Sequence, residues 1–161
     1  MKNTEKVDHS AIRVNQVMGM AGMTLAFVLD RWEIVAAFCV AYLLTAISLE
    51  IGPFNIFYKY ILKPIGIVKP DIRDDYKEPH RFGQAVGFVF GGIAAWLIYS
   101  GQHFIGWSLI WILIALTAVS YAGWCIGCFV YYMLNKSGLG GFFKHAPADN
   151  GVVIGARPRN I

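Results

Sequence analysis

Residues 82–99 read FGQAVGFVFGGIAAWLIY, a run of 18 residues without a charged side chain. A helix of about 18 to 20 apolar residues is long enough to cross a hydrocarbon core about 30 Å thick. Three further apolar runs extend over about 14–29, 34–49 and 104–134. Because lipid offers the backbone no hydrogen-bond partners, we predict that each run is a helix that spans the membrane.

The overall composition agrees with this prediction. The 161 residues are 57% hydrophobic and 15% charged, whereas a soluble domain carries about 25% charged residues. That shortage of charge excludes an ordinary soluble surface. The three cysteines, an odd number, give no disulfide framework. The isolated Cys39 is expected to face lipid or to pack in the core as a small apolar side chain.

The connections between the runs define the architecture. Residues 30–33 and 100–103 form short turns, which predict two antiparallel helical hairpins. The predicted fold class is therefore an all-α membrane protein with four transmembrane helices. We expect a short N-terminal segment over 1–13, the four-helix domain over 14–134 and an extended tail over 135–161.

The longest polar segment, 51–81, lies between the two hairpins. Its first part repeats apolar side chains at helical spacing: Phe54, Phe57, Tyr58 and Ile61. This spacing predicts a short helix over about 53–63 that lies in the membrane interface. The remainder combines prolines with charges of both signs, which predicts an ordered loop.

The distribution of basic residues predicts the orientation in the membrane. Thirteen of the 14 lysines and arginines lie in the N-terminal segment, the central loop and the tail. The two hairpin turns contain only Arg31. By the positive-inside rule, both termini and the central loop are predicted to be cytoplasmic in a multi-pass inner-membrane protein. The net charge of +4 is thus explained by topology and membrane lipid, and we predict no nucleic-acid partner.

A second motif, WCIGCFVYYMLNK over 124–136, places Cys125 and Cys128 at C-x-x-C spacing. The run 104–134 would form a helix about 46 Å long, so a span that starts near residue 104 leaves the hydrocarbon near residue 125. The pair is therefore expected at the cytoplasmic boundary. In one continuous helix it would lie nearer the negative C-terminal end, where the dipole disfavours a thiolate. A nearby cation would be needed, and Arg81 is the leading candidate.

Polar side chains at the same predicted depth suggest a shared cluster. His80, Arg81 and Gln84 lie at the start of the third helix, Asn15 and Gln16 at the start of the first, and Glu50 at the end of the second. Polar groups at this depth are costly unless they are paired or hydrated. We therefore expect these side chains to meet near the thiols.

The third run also carries a stripe of glycines. Gly83, Gly87 and Gly91 recur every four residues, which leaves one flank of the helix bare and allows another backbone to approach. We predict that this stripe and the C-terminal tail contact a protein partner or a second copy of the chain.

Two motifs together, RFGQ-x-x-G at 81–87 and C-x-G-C-x-x-Y at 125–131, carry a resemblance over about 10–134. The sequence resembles a bacterial family of small integral membrane proteins catalogued as domain of unknown function 4395. The resemblance implies a four-helix membrane domain and draws attention to the thiol pair. It implies no biochemical role.

Three functions remain open on these observations. The first is a membrane-embedded thiol protein in which Cys125 and Cys128 exchange electrons or sulfane sulfur with a cytoplasmic partner. Arg81 would stabilise the thiolate and Gln84 would hydrogen-bond the substrate. The second is a non-catalytic accessory subunit of a larger membrane complex, in which the cysteines only pack. The third is a small transporter for a sulfur anion.

We predict no cofactor and no metal site. A structural zinc site needs four nitrogen or sulfur ligands; the two cysteines with His80 and His145 from the tail could supply four, but no ligand spacing supports such a site. A c-type haem would need C-x-x-C-H, but residue 129 is Phe.

Overall fold

The computed structural model of the protein describes residues 5–139. Most of the predicted tail, from residue 140 onward, lies outside the described residues, and so do residues 1–4. The helices and strands are β1 (Glu5–Asp8), α1 (His9–Leu29), α2 (Trp32–Ile47), α3 (Pro53–Phe57), α4 (Lys63–Ile65), β2 (Ile72–Asp75), α5 (Lys77–Tyr99), α6 (His103–Tyr121) and α7 (Ile126–Leu134).

Three of these helices, α1, α5 and α6, are long and apolar enough to cross a membrane. The protein is accordingly a predominantly helical membrane protein. The apolar α2 has 16 residues, fewer than the roughly 20 that match a hydrocarbon core. A fourth full span therefore stays a prediction. Both short turns are present, since α1 connects to α2 and α5 connects to α6 within a few residues.

The core lies where α1, α2, α5 and α6 meet. It consists mainly of small and branched apolar side chains: Met23, Ala26, Val35, Cys39, Ala94, Ala95, Ile98, Trp107 and Ile110. Cys39 is 4% exposed and packs in this core, which confirms its predicted role. It lies beside Gly91 of α5, where an added Cβ would lie only 2.8 Å from its sulfur.

The glycine stripe of α5 is used within the chain. Gly91 faces Cys39, Gly87 faces the ring of Tyr42, and Gly83 faces the backbone of Gly127 in α7. The bare flank thus lets α2 and α7 approach α5 closely. Contact of the same stripe with a second protein stays a prediction.

The predicted continuous helix over 104–134 is wrong. Helix α6 ends at Tyr121, and α7 begins only at Ile126. The Gly123 N–H donates to the Ser120 carbonyl at 3.1 Å, and the Trp124 N–H donates to the Val119 carbonyl at 3.4 Å. Together with the φ of +116° at Gly123, this is a Schellman motif, which ends a helix by satisfying its last carbonyls.

The segment between the hairpins also contains structure that the all-α prediction missed. Strands β1 and β2 form an antiparallel pair with Glu5 opposite Asp75 and Asp8 opposite Ile72. Each strand has four residues, mostly charged, so neither shows the alternation of apolar residues that signals a strand. The pair ties the N-terminal segment to the central loop.

Asp8 secures this connection. Its carboxylate accepts hydrogen bonds from the backbone N–H groups of Ser10 and Asp71 and from the Tyr58 hydroxyl. Asp8 is also the N-cap of α1, a position that favours aspartate because the side chain satisfies a free N–H group.

The predicted short helix over 53–63 is present and slightly longer. It consists of α3, a π-helical turn over Tyr58–Leu62, and α4, and it ends at Gly66, whose φ is +77°. Tyr58 is buried, and Phe54 stacks on Phe38 of α2. These two rings of the apolar face therefore contact the protein itself. A position of the segment at the membrane interface stays a prediction.

Candidate functional site: a thiol pair at a helix N-terminus

The break in the fourth apolar run decides where the two thiols lie. Cys125 has extended backbone angles and is the N-cap of α7, and its Sγ accepts a hydrogen bond from the Cys128 N–H at 3.1 Å. The expectation that the pair lies near the negative end of a helix is therefore wrong. The pair occupies the N-terminus of α7, whose free N–H groups and dipole favour negative charge on Cys125.

The two sulfurs have unequal environments. Both cysteines are free thiols, and Cys125 is half-buried whereas Cys128 is buried. Cys128 Sγ lies 3.8 Å from Nδ1 of His80, which comes from the first turn of α5. The two sulfurs and the imidazole nitrogen all lie within 4.8 Å of one another. One sulfur can thus meet a partner while the other is held behind it.

The opposite nitrogen of His80 is held by a carboxylate. His80 Nε2 lies 2.9 Å from Oδ2 of Asp75, the last residue of β2. His9 Nε2 lies 3.1 Å from the same oxygen, and the two imidazole rings meet edge to face at 5.6 Å between centroids. The Tyr76 N–H donates to the other carboxylate oxygen at 2.8 Å. Asp75 therefore orients His80 with Nδ1 toward the sulfurs.

These contacts shift the pKa values of the two thiols in opposite directions. The hydrogen bond from Cys128 and the contact with His80 outweigh burial and lower the pKa of Cys125 to about 4. The same Cys125 contact, together with burial, raises the pKa of Cys128 well above its usual range. Burial opposes ionisation of Asp75, but its contacts with His80 and His9 hold the pKa of that carboxyl well below its usual range. These shifts favour the negative charge on Cys125 and the proton on Cys128.

One known family matches a stretch of the sequence that includes every residue of the thiol site. The family described as a domain of unknown function, DUF4395, matches residues 7–136. The chain belongs to this family. The DUF4395 match extends from the end of β1 through α7, and so includes both thiols and the three residues His9, Asp75 and His80. No curated protein and no solved structure matches the chain significantly.

The four site residues predicted for this DUF4395 protein do not all meet. Cys125 and Cys128 are together, as their spacing indicates. The exposed Arg81 donates from Nε to the Ala46 carbonyl of α2 at 2.8 Å, and the base beside the sulfurs is its neighbour His80. Gln84 lies one turn farther along α5, where it lines a different cavity.

That cavity has a volume of about 70 Å³ and contains the amides of three predicted residues, Asn15, Gln16 and Gln84. The three amides meet one another as predicted, but the predicted meeting with the thiols is wrong, because their cavity is separate from the thiol cluster. Gln16 donates from Nε2 to the Ser120 hydroxyl at 2.8 Å. Among residues 5–139, no hydrogen-bond donor contacts the side-chain oxygens of the three amides. Glu50 is elsewhere and lies 3.5 Å from Lys77.

Sequence reasoning missed His9 and Asp75 and gave His80 too little weight. His9 stands in a polar N-terminal segment with no ligand spacing around it, yet it is 2% exposed beside Asp75. It arrives there through the pairing of β1 with β2, a contact between residues about 65 positions apart. No local spacing signals such a contact. His80 follows Asp75 by five residues, which was the one available local signal.

Proposed function

We propose that this protein is a membrane-bound dithiol that exchanges electrons or sulfane sulfur with a cytoplasmic partner. One observation carries the proposal: Cys125 caps a helix N-terminus, with a buried second thiol three residues later. Cysteines at this position of a C-x-x-C motif are typical of reactive pairs, since the helix end stabilises the attacking thiolate. The half-buried Cys125 is the attacking group and the buried Cys128 is the resolving group.

The exchange follows from these two roles. The Cys125 thiolate attacks one sulfur of a disulfide on the partner, and the partner's second sulfur leaves as a thiolate. Cys128 then gives its proton to that leaving thiolate and attacks Cys125, which releases the partner's first sulfur. Two electrons pass from the pair to the partner, and the pair becomes a disulfide. With a persulfide instead, Cys125 attacks the outer sulfur and keeps it, and the partner leaves as a thiolate.

His80 takes the role that the sequence suggested for Arg81. Its imidazole is in contact with the thiols, and Asp75 favours its protonated form. A cation beside the sulfur stabilises the thiolate before attack. A contact of Gln84 with the substrate is not part of this proposal, because its cavity is separate from the thiol cluster.

The cytoplasmic inner-membrane location is part of the proposal. It is supported by the positive-inside pattern, in which the two hairpin turns contain one of the 14 basic residues. The strand pair also joins the N-terminal segment, the central loop and the thiol cluster at one end of the bundle. A membrane-impermeant thiol reagent is expected to label Cys125 in inside-out vesicles and to leave it unlabelled in intact spheroplasts. The reverse pattern would contradict this orientation.

The exchange itself is tested with detergent-solubilised protein in chelator, equilibrated with oxidised and reduced dithiothreitol. We expect a reversible disulfide between Cys125 and Cys128, read as a peptide mass shift. With oxidised glutathione in place of dithiothreitol, the Cys128→Ser variant should trap a mixed disulfide at Cys125, whereas Cys125→Ser should trap few. Cys39→Ala serves as the matched control and should behave as the parent protein. If the double variant Cys125→Ser, Cys128→Ser supports the same growth and complex assembly as the parent, the accessory-subunit alternative replaces the proposal.

A further inference from the structure

We propose that the reduced thiol pair and His80 form a three-ligand zinc site whose fourth position is open. The ligands are the Sγ atoms of Cys125 and Cys128 and Nδ1 of His80, which lie within 4.8 Å of one another. The inference rests on this geometry and does not depend on thiol exchange.

The separations between the ligand atoms suit a tetrahedral ion. Zinc binds thiolate sulfur at about 2.3 Å and imidazole nitrogen at about 2.0 to 2.1 Å, so its ligand atoms lie roughly 3.6 to 3.8 Å apart. Cys128 Sγ and His80 Nδ1 are 3.8 Å apart already. Within the 4.8 Å limit on the other two pairs, a shift of about 1 Å, within the range of side-chain rotation, completes the geometry.

The surroundings of His80 are those of a metal ligand. A histidine that binds a metal through one nitrogen usually donates its other N–H to a carboxylate, which fixes the ring and its tautomer. Asp75 lies 2.9 Å from His80 Nε2, and the Tyr76 N–H holds Asp75 in turn. In the zinc-bound form His80 would be neutral, with the Nδ1 lone pair directed toward the sulfurs. His9, on the far side of Asp75, completes this outer layer.

The number and charge of the ligands decide the type of site. Two thiolates and one neutral imidazole balance the charge of Zn²⁺. His9 and Asp75 lie on the side of His80 that points away from the sulfurs. Among residues 5–139, three side chains would therefore bind the ion. Three ligands with an open position are typical of zinc sites that bind water or a substrate.

The sequence prediction considered only a closed structural site, in which His145 would be the fourth ligand, and found no support for it. An open site needs one ligand fewer, and only the tertiary structure brings His80 to the sulfurs. Since zinc binds thiolates, the site exists only in the reduced protein. Formation of the Cys125–Cys128 disulfide would remove both sulfur ligands and release the ion.

The test uses full-length protein in detergent, reduced with a phosphine, freed of reductant and titrated without oxygen. Co²⁺ is the first probe, because thiolate-to-cobalt charge-transfer absorption reports sulfur ligation. We expect one Co²⁺ per chain with this absorption, displaced by one Zn²⁺. Oxidised protein should bind neither ion. Reduced protein that shows no charge-transfer absorption would overturn the proposal.

Variants separate this site from adventitious binding by two thiols. Cys125→Ser, Cys128→Ser and His80→Gln should each weaken zinc binding at least tenfold. Asp75→Asn should weaken it by about 10 to 100-fold, the usual effect of losing the hydrogen-bond partner of a ligand. Arg81→Ala, next to His80 but directed to Ala46, is the control and should bind as the parent does. Unchanged affinity in His80→Gln would overturn the proposal.

The result is independent of the test for thiol exchange. Disulfide exchange is measured with chelator present, and zinc binding is measured with reduced protein and no exchange partner. Helical circular dichroism and a single elution peak confirm that each variant is folded before titration. Loss of zinc binding in a folded variant that still exchanges disulfides would thus bear on the metal site alone.

Discussion

The backbone N–H of Cys128 donates a hydrogen bond to Sγ of Cys125 over 3.1 Å. This bond exists because the chain leaves helix α6 at Gly123 and starts α7 at Ile126. In an uninterrupted helix the Cys128 N–H would bond to a carbonyl four residues earlier, and the two sulfurs would be similar. The helix break leaves Cys125 half-buried at a helix N-terminus, where negative charge is favoured, and leaves Cys128 buried.

The first prediction concerns the pH dependence of alkylation in reduced, chelator-treated protein. The pKa of Cys125 is lowered to about 4, so its thiolate is present above that pH and is lost only below it. We expect the alkylation rate at Cys125 to change less than twofold between pH 8 and pH 6. A thiol with an ordinary pKa near 8.5 would slow by roughly 75-fold over this range. Mass spectrometry of the peptide that contains Cys125 gives the rate.

The control for this measurement is His80→Gln. The groups that face Cys125 are His80, Cys128 and, behind the imidazole, Asp75. Loss of the imidazole should move the pH profile of Cys125 to higher pH. A fall in the parent protein's rate of tenfold or more between pH 8 and pH 6 would contradict the described environment.

The second prediction concerns Gly123, whose φ of +116° lies in a region that side chains rarely adopt. Gly123→Ala should lower the free energy of unfolding by about 1 to 3 kcal/mol, because the added Cβ strains this backbone. Chemical denaturation in micelles, followed by circular dichroism, measures the change. The control is Gly92→Ala, where a Cβ meets nothing within 4 Å. This control should be neutral or up to about 1 kcal/mol more stable. An equal loss of unfolding free energy in both variants would refute the assignment of Gly123 to the turn that ends α6.

The third prediction compares two glycines that face each other. A Cβ at Gly127 would lie 2.8 Å from the Gly83 Cα, whereas a Cβ at Gly83 would lie 3.9 Å from the Gly127 Cα. Gly127→Ala should therefore push α7 away from α5 and cost about 1 to 3 kcal/mol, as overpacked sites do. Gly83→Ala should be close to neutral. The same displacement should move the thiols away from His80.

The readouts for this pair are the denaturation midpoint and the alkylation rate of Cys125 at pH 6. We expect both to fall in Gly127→Ala and to stay near the parent values in Gly83→Ala. If the two alanine variants behave alike, the close contact between α5 and α7 is not as described.

The fourth prediction concerns Asp8, which accepts hydrogen bonds from Ser10, Asp71 and Tyr58. Asp8→Ala removes the N-cap of α1, which alone costs about 0.5 to 2 kcal/mol. It also leaves the other two donors without this acceptor. Amide hydrogen exchange should therefore accelerate in β1, in β2 and in the first turn of α1, and much less in α6. Ser48→Ala, which removes one exposed hydrogen bond, should leave these rates unchanged. Unaltered protection of β2 in Asp8→Ala would contradict the role of Asp8 in holding the N-terminal segment to the central loop.

The helical architecture was largely predictable, since it depends on runs of residues near one another in the chain. Apolar runs bounded by charges located α1, α2, α5 and α6, and the spacing of Phe54 and Tyr58 located the short helical segment between the hairpins. The helix break at Gly123 was missed for a physical reason. Glycine inside an apolar run is also common in membrane helices, so its presence does not reveal whether the chain continues or turns.

The thiol site shows more clearly what could not be predicted from the sequence. Arg81 was preferred as the partner of the cysteines because charge and predicted depth were the only guides. Its neighbour His80 lies about 100° farther round the helix axis, and this rotation decides which of the two side chains faces α7. His9 reaches Asp75 through a strand pair with no local pattern.

The amino-acid sequence by itself determined that this chain is a helical membrane protein with two vicinal thiols near one end of its bundle. Local chemistry suffices for that, because hydrophobicity and residue spacing act along the chain. Only the tertiary structure decided that Cys125 begins a helix and that His80, oriented by Asp75, is the base beside the pair. Those relations depend on how α5, α7 and the strand pair come together, and on side-chain directions that differ by fractions of a helical turn.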